Sequence, residues 1–268
     1  MTVPSLHTTD SRIATPLGEI FARRWHVPPA GDRPGRAPVV LLHDSLGSVA
    51  LWRDFPQQLA AATGREVVAY DRLGFGGSDA HPGMLDSCFV AQEAETSFEA
   101  VLQAQGIGDF VVLGHSVGGG MATMAAARFG PRCRALVTES AQAFVEDRTL
   151  EGIRAARDDF ARPGQLERLR KYHGDKAAWV LSAWVDTWLS PAFAGYRLDE
   201  ALARVHCPVL AIHGENDEFG SLAHPERIRS AAAGPAEAEI IAGAGHVPHR
   251  EWPERIVGRI ARFLEGVA

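Results

Sequence analysis

The sequence lacks the features that mark zinc proteins, disulfide scaffolds and membrane proteins. It has only three cysteines, and Cys88, Cys133 and Cys207 show none of the paired spacing of a zinc or redox site, so we expect reduced structural thiols. The opening MTVPSLHTTDSR has no apolar signal-peptide core, and no stretch approaches the ~18 apolar residues of a membrane span. These absences predict a soluble, cytoplasmic protein with no membrane partner.

An excess of positive charge is also missing. The formal net charge of -6 argues against nucleic acid or an anionic membrane as a partner, because both attract basic surfaces. A small, neutral or weakly charged molecule remains as the expected partner. No motif implies a metal or another cofactor, and the sequence is silent on the oligomeric state.

What the chain does have is a regular alternation of short apolar runs with stretches of helical periodicity. This pattern is typical of a parallel sheet covered by helices on both faces. Two segments that flank Leu17-Gly18 predict an antiparallel hairpin at one edge of that sheet. The 268 residues suit one large α/β domain. The apolar runs are 38–43, 66–70, 109–114, 134–139, 208–213 and 237–241.

The alternation breaks once, between residues 141 and 203, in a stretch rich in aromatic side chains. We predict that residues 1–140 and 204–268 form the α/β core and that residues 141–203, here called the insertion, form a helical cap or lid. Three tryptophans in it, spaced by five and four residues, are expected on neighbouring faces of a helix, where they contact the substrate. Packing of the insertion onto itself or onto the core is the alternative, and we favour it for at least one of them. They are Trp179, Trp184 and Trp188.

A serine stands where a predicted strand turns into a helix. The pentapeptide Gly114-His115-Ser116-Val117-Gly118 fits G-x-S-x-G, follows the run 109–114 and opens a helical stretch. Glycines let the strand and the helix approach closely, while the sharp turn holds the serine in an unfavourable backbone conformation. A glycine-rich helix start without chemical consequence is the alternative that the pentapeptide alone leaves open.

A serine hydroxyl is a weak nucleophile and needs a base that is itself oriented by a carboxylate. Asp217 follows the run 208–213, and His246 lies in a glycine-rich loop after the run 237–241. The carboxyl ends of parallel strands meet at one edge of a sheet, and the order Ser116, Asp217, His246 is the order of these groups in α/β-hydrolases. The sequence therefore predicts a catalytic triad.

Over nearly its whole length the chain resembles the α/β-hydrolase-fold enzymes. The resemblance implies that Ser116 attacks a carbonyl carbon, that Asp217 holds the imidazole of His246 while it relays a proton, and that water hydrolyses an acyl-enzyme. It favours Asp217 over its neighbours Glu215 and Glu218. It assigns the catalytic role to His246 and a structural role to His249. The motifs that carry it are LLHDSLGS at 41–48, YDRLGFGGSD at 70–79, GHSVGG at 114–119, and the pair HGENDEFG and GAGHVPH.

The family pattern also places an oxyanion hole, made by the backbone N–H groups of Val117 and Ser45. At Asp44, relatives often have glycine, so we expect this carboxylate to turn away from the oxyanion and to bond N–H groups of its own loop. The segment 44–47 is similar to the Asn-Ser-Leu-Gly loop of 3-oxoadipate enol-lactonases. Leu46 in this segment is expected to contact the substrate.

Together these residues predict a serine hydrolase of the carboxylesterase or lactonase type, which cleaves a small-molecule ester or lactone through an acyl-enzyme. Another reaction on the same fold is an alternative, namely C–C bond hydrolysis, thioester hydrolysis or perhydrolysis. A non-enzymatic ligand receptor on this scaffold is a further alternative.

Overall fold

The structure, a computed structural model that describes residues 6–28 and 36–267, is built on one sheet of eight strands. The strands are β1 (Thr8–Thr15), β2 (Gly18–Trp25), β3 (Val39–Leu42), β4 (Val67–Tyr70), β5 (Phe110–His115), β6 (Cys133–Glu139), β7 (Val209–Gly214) and β8 (Ala236–Ile241). Their order is β1-β2-β4-β3-β5-β6-β7-β8. The pairs β1–β2 and β2–β4 are antiparallel and the other five pairs are parallel, which confirms the predicted mostly parallel sheet with a hairpin at its edge.

Helices connect the strands. They are α1 (Phe55–Thr63), α2 (Phe89–Glu95), α3 (Ser97–Ala104), α4 (Val117–Phe129), α5 (Asp147–Phe160), α6 (Gln165–His173), α7 (Ala177–Trp188), α8 (Asp199–Leu202), α9 (Ala223–Ala231), α10 (Pro248–Glu251) and α11 (Pro253–Leu264). Within the described residues, none of them is long and apolar enough to cross a membrane. All three cysteines are free thiols, and the Sγ atoms of Cys133 and Cys207 lie 3.7 Å apart.

The two faces of the sheet bury two separate apolar clusters. Successive residues of a strand point to opposite faces, so in β3 Val40 and Leu42 pack with α2, α3 and α4, whereas Val39 and Leu41 pack with α1 and α11. All four side chains are fully buried. Burial on both faces explains why this run reads as continuously apolar rather than alternating.

The insertion leaves the sheet after β6 and returns before β7. Helices α5 to α8 lie within it. Its two ends meet, because Phe144 pairs with Arg197 in an antiparallel bridge and Leu198 N–H donates to the Ala143 carbonyl at 2.9 Å. The helices of the insertion therefore start and finish at one place, beside the carboxyl end of β6.

The carboxyl ends of the parallel strands lie at one edge of the sheet. The loop after β3 carries Ser45, the turn after β5 carries Ser116, and the segment after β6 carries Gln142. The loops after β7 and β8 carry Asp217 and His246. Residues far apart in the chain are thus gathered at the edge where sheets of this kind hold their functional groups.

Candidate active site

Ser116 occupies a sharp elbow between β5 and α4. Its φ of 56° and ψ of -125° lie outside the regions that residues other than glycine normally adopt. Two close approaches hold the elbow. A Cβ on Gly114 would lie 2.0 Å from the Gly118 carbonyl oxygen, and a Cβ on Gly118 would lie 2.2 Å from the Leu42 carbonyl oxygen. Both positions therefore require glycine, and the strand-turn-helix context that the sequence predicts is present.

Asp217 and His246 form a hydrogen-bonded pair. His246 Nδ1 lies 2.8 and 2.9 Å from the two carboxylate oxygens of Asp217, and the Phe219 N–H also donates to this carboxylate at 2.8 Å. Burial disfavours the charged carboxylate, but the hydrogen bond and charge of His246 outweigh it, so the pKa of Asp217 is lowered. The acid is held as a carboxylate that orients the imidazole.

Ser116 and His246 line the same cavity. The Ser116 hydroxyl donates to Oε1 of Gln142, at 3.5 Å. A hydrogen bond from this hydroxyl to His246 Nε2 stays a prediction. The sequence analysis did not predict Gln142. It lies three residues past the end of β6, and position after a strand is the criterion that identified Asp217 and His246.

The loop after β3 faces the elbow. Asp44 Oδ1 accepts the Leu46 N–H at 2.8 Å, which confirms that this carboxylate turns to bond its own loop. Ser45 and Leu46 line the cavity beside Ser116. Val117 is the first residue of α4, and the first N–H groups of a helix have no acceptor within it. Both positions suit donors to an oxyanion.

His173 of α6 ties the insertion to this loop. Its Nδ1 accepts the Gly76 N–H at 2.9 Å, and its Nε2 donates to the Leu46 carbonyl at 3.0 Å. One nitrogen accepts and the other donates, which is the arrangement of a neutral imidazole. Burial of the ring lowers the pKa of His173, in agreement with the neutral form.

Behind the elbow lie His115, Glu139 and His249, whose potential ligand atoms fall within 4.8 Å of one another. The backbone N–H and Nδ1 of His249 donate to the two Glu139 oxygens, both at 2.6 Å. Glu139 thus holds His249 through two short hydrogen bonds. His249 thereby anchors α10 to the end of β6.

The cavity beside Ser116 has a volume of about 210 Å³ and a largely apolar lining. One face of α5 contributes residues spaced by four, three and four positions, which fall on one side of a helix. Sequence reasoning missed this face, although its spacing is visible in the sequence. The lining comprises Thr149, Ile153, Ala156 and Phe160 of α5, Trp184 and Trp188 of α7, Leu46, Phe219 and Val247, with the polar residues Asp44, Ser45, His115, Ser116, Gln142 and His246.

Trp179 corrects the expectation that all three tryptophans share this lining. Each helical residue turns by ~100°, so Trp184 and Trp188 lie ~40° apart, whereas Trp179 lies ~140° from Trp184. Trp179 instead packs on Phe75 and stacks on His81, with ring centroids 5.6 and 5.2 Å away. Its indole N–H donates to the Gly83 carbonyl at 2.8 Å. It joins the insertion to the loop after β4.

Known proteins share this architecture. Residues 37–163 match the α/β hydrolase fold family. Proline iminopeptidase of Lactobacillus delbrueckii subsp. bulgaricus is 26% identical over 257 residues, which cover 81% of this chain and 86% of that protein. The human serine hydrolase BPHL is 30% identical over 208 residues, covering 75% and 70% of the two chains.

Among solved structures, a mutant of the N-acyl homoserine lactonase AidH complexed with N-hexanoyl homoserine superposes with a TM-score of 0.71. It is 21% identical, and the match covers 96% of each chain. At this level of identity the likeness concerns the fold. The human relative shows the family, and the sheet order and the elbow geometry agree with it. This protein is a member of the α/β-hydrolase-fold family.

Proposed function

We propose that the protein is a serine hydrolase in which Ser116 is the nucleophile, His246 the general base and Asp217 the residue that orients the base. The observation that carries the proposal is the Asp217–His246 pair, whose imidazole lines the same cavity as a serine held at positive φ. A carboxylate on Nδ1 leaves Nε2 as the nitrogen that accepts a proton. A purely structural pair would not explain the strained serine beside it.

The reaction follows from these positions. Ser116 Oγ attacks the carbonyl carbon while its proton passes to His246 Nε2, and the carbonyl oxygen becomes an oxyanion bound by the N–H groups of Ser45 and Val117. The oxyanion collapses, the bond to the leaving oxygen breaks, and His246 protonates that oxygen. Water then attacks the acyl carbon and gives a proton to His246. The bond to Ser116 Oγ breaks, Oγ takes that proton from His246, and the acid product leaves.

The cavity lining supports an uncharged, apolar acyl group as substrate. Among the described residues that line it there is no lysine or arginine, and the acidic side chain present is Asp44. A carboxylate buried against this apolar wall would contact no lysine or arginine, which costs several kcal/mol. The volume of about 210 Å³ suits a small ligand such as a short to medium acyl chain or a small lactone.

The insertion acts as the cap in this proposal. Helices α5 and α7 supply the apolar wall opposite Ser116, and the core loops supply the polar groups. An apolar wall excludes water from the attacked carbonyl and strengthens the hydrogen bonds that stabilise the oxyanion.

Turnover of p-nitrophenyl hexanoate by the wild type and by Ser116→Ala tests the mechanism. We expect kcat to fall by about 10⁴- to 10⁶-fold in the variant, because loss of the nucleophile leaves only the contribution of binding and the oxyanion hole. Gly108→Ala, which has nothing within 4 Å of the added methyl group, is the matched control and should keep the wild-type rate. An inactive wild type that still binds the ester would instead support the receptor alternative.

A second measurement tests the substrate class. The hexanoyl ester is compared with the adipoyl monoester of the same alcohol, which has the same chain length and a terminal carboxylate. We expect kcat/KM to be roughly 100-fold higher for the hexanoyl ester, because the carboxylate loses its hydration without gaining a partner. Prolyl p-nitroanilide and a small lactone complete the panel, and faster cleavage of the anilide would contradict ester specificity while leaving the serine mechanism intact. Dialysis against a chelator should not change these rates.

A further inference from the structure

His115, the last residue of β5, is buried next to the nucleophile, and both of its ring nitrogens face oxygen atoms. Nε2 lies 2.8 Å from the backbone carbonyl oxygen of His246. Nδ1 lies 3.2 Å from Oδ2 of Asp44. A carbonyl oxygen and a carboxylate oxygen both accept hydrogen bonds, so both nitrogens must donate. Only the imidazolium form of histidine has two N–H donors.

The neutral forms of the ring fit this environment poorly. A neutral ring would turn a lone pair toward either the carbonyl of His246 or the carboxylate of Asp44, and two acceptors repel. Protonation of Asp44 on Oδ2 would also remove that conflict, but the Leu46 N–H that donates to Oδ1 favours the ionised carboxylate. The hydrogen bond and charge of His115 overcome the effect of burial and lower the pKa of Asp44. Asp44 is therefore the anion of the pair.

The groups around the ring favour its charge. Asp44 approaches from the loop after β3, and Glu139 at the end of β6 adds a second carboxylate. His249 of α10 lies edge-on, with ring centroids 5.1 Å apart, and burial lowers its pKa, so it adds no competing cation. The ring of His246 also packs on that of His115, with centroids 5.1 Å apart, and in the proposed mechanism this ring is the neutral base. Trp52, from the helical turn before α1, is uncharged. Burial opposes the imidazolium, but Asp44, Glu139 and the His246 carbonyl outweigh it, and the pKa of His115 is raised.

We propose that His115 is a cationic positioning residue for the proposed hydrolase. Its imidazolium joins the loop that carries the oxyanion donor Ser45, through Asp44, to the backbone of the general base His246. It does so from the residue adjacent to the nucleophile. The side chain does not act on the substrate. It fixes the distance between the base and the oxyanion hole, and the proposal rests on the function assigned above.

The imidazolium contribution is present below the raised pKa of His115 and is lost as the pH rises through it. We therefore expect the pH profile of kcat to fall on its alkaline side, with a midpoint above the ordinary histidine pKa of ~6.5. Asp44→Asn keeps the shape of the side chain but removes the counter-ion. It should move that midpoint down by about one pH unit or more, since an opposite charge at this distance shifts a pKa by ~1–3 units.

A variant of the ring itself separates positioning from packing. In His115→Gln one amide N–H still reaches the His246 carbonyl, but the charge is lost. We expect kcat to fall roughly 10- to 100-fold with little change in KM, because a displacement of ~1 Å in a catalytic group costs about that much. His206→Gln, at an exposed histidine, is the matched control and should behave as the wild type. Equal kinetics of the two variants would overturn the proposal.

Nitrogen-15 spectra of the histidine rings test the proposal without any substrate. The His115 signals are assigned by their absence from the spectrum of His115→Gln or by their shift in Asp44→Asn. In the wild type they should show both ring nitrogens protonated at pH 7. A neutral His115 at that pH, or an alkaline midpoint that does not move in Asp44→Asn, would refute the proposal. Neither result bears on Ser116→Ala, so failure of this inference and failure of the serine mechanism are distinguishable.

Discussion

The loops at the edge of the sheet and the helices of the insertion both face the cavity, but they are held in different ways. The elbow depends on backbone atoms in contact, since a methyl group on Gly118 would lie 2.2 Å from a carbonyl oxygen. The wall formed by α5 and α7 depends on apolar side chains such as Ile153 and Trp184. Backbone contacts admit one residue type, whereas an apolar wall admits many. The proposed chemistry therefore depends on the less tolerant region, and the proposed selectivity on the more tolerant one.

The largest expected effect is that of Gly118→Ala. The new methyl group has to displace β3 or α4, because its closest neighbours are the carbonyl oxygens of Leu42 and His43. We expect a loss of roughly 3 kcal/mol in the free energy of unfolding, at the upper end of overpacking. We also expect a fall of at least ~100-fold in kcat through displacement of Ser116. Thermal unfolding and ester turnover measure both, and a melting temperature equal to that of Gly108→Ala would contradict the comparison.

A smaller effect is expected in the insertion, where Trp184→Ala and Trp179→Ala form a matched pair on one helix. Trp184 lines the cavity and Trp179 does not. Trp184→Ala should change the ratio of rates for octanoyl and butanoyl esters by about 10-fold, since each methylene in an apolar pocket is worth ~1–3 kcal/mol. Trp179→Ala should lower the melting temperature and leave that ratio unchanged. Parallel changes in both variants would show that the wall does not select the acyl chain.

The smallest effect concerns His173, which joins the two regions. Burial lowers the pKa of His173 in the folded protein. Just below pH ~6.5, this imidazole therefore binds a proton in the unfolded chain but stays neutral in the folded one. Its contribution to stability is complete above that pH and declines as the pH falls toward its folded value. His173→Gln should reduce the loss of stability between pH 7 and 5, by up to ~1.4 kcal/mol per pH unit. Urea unfolding at both values measures this, with His206→Gln as the variant in which the slope should not change.

The sequence predicted the sheet and the positions of Ser116, Asp217 and His246 because backbone constraints leave distinctive patterns. Gly114 and Gly118 flank the serine since no other residue fits there. The cavity wall could not be predicted in the same way. The spacing puts Trp179 and Trp188 on opposite faces of a helix. It does not say which face meets the cavity, and the structure shows that Trp179 packs on Phe75 and that Trp188 lines the cavity. Gln142 belongs to no sequence motif, and only its position in the structure, after the end of β6, identifies it as part of the site.

The hydrogen bonds of His173 also have a kinetic consequence. Helix α6 cannot move away from the core without releasing both the Leu46 carbonyl and the Gly76 N–H. Leu46 belongs to the loop that supplies the proposed oxyanion donor. Any lifting of α6 would therefore also loosen that loop. A substrate bound while the insertion is open would meet an incomplete oxyanion hole, so closure would act as a checkpoint that precedes acyl transfer.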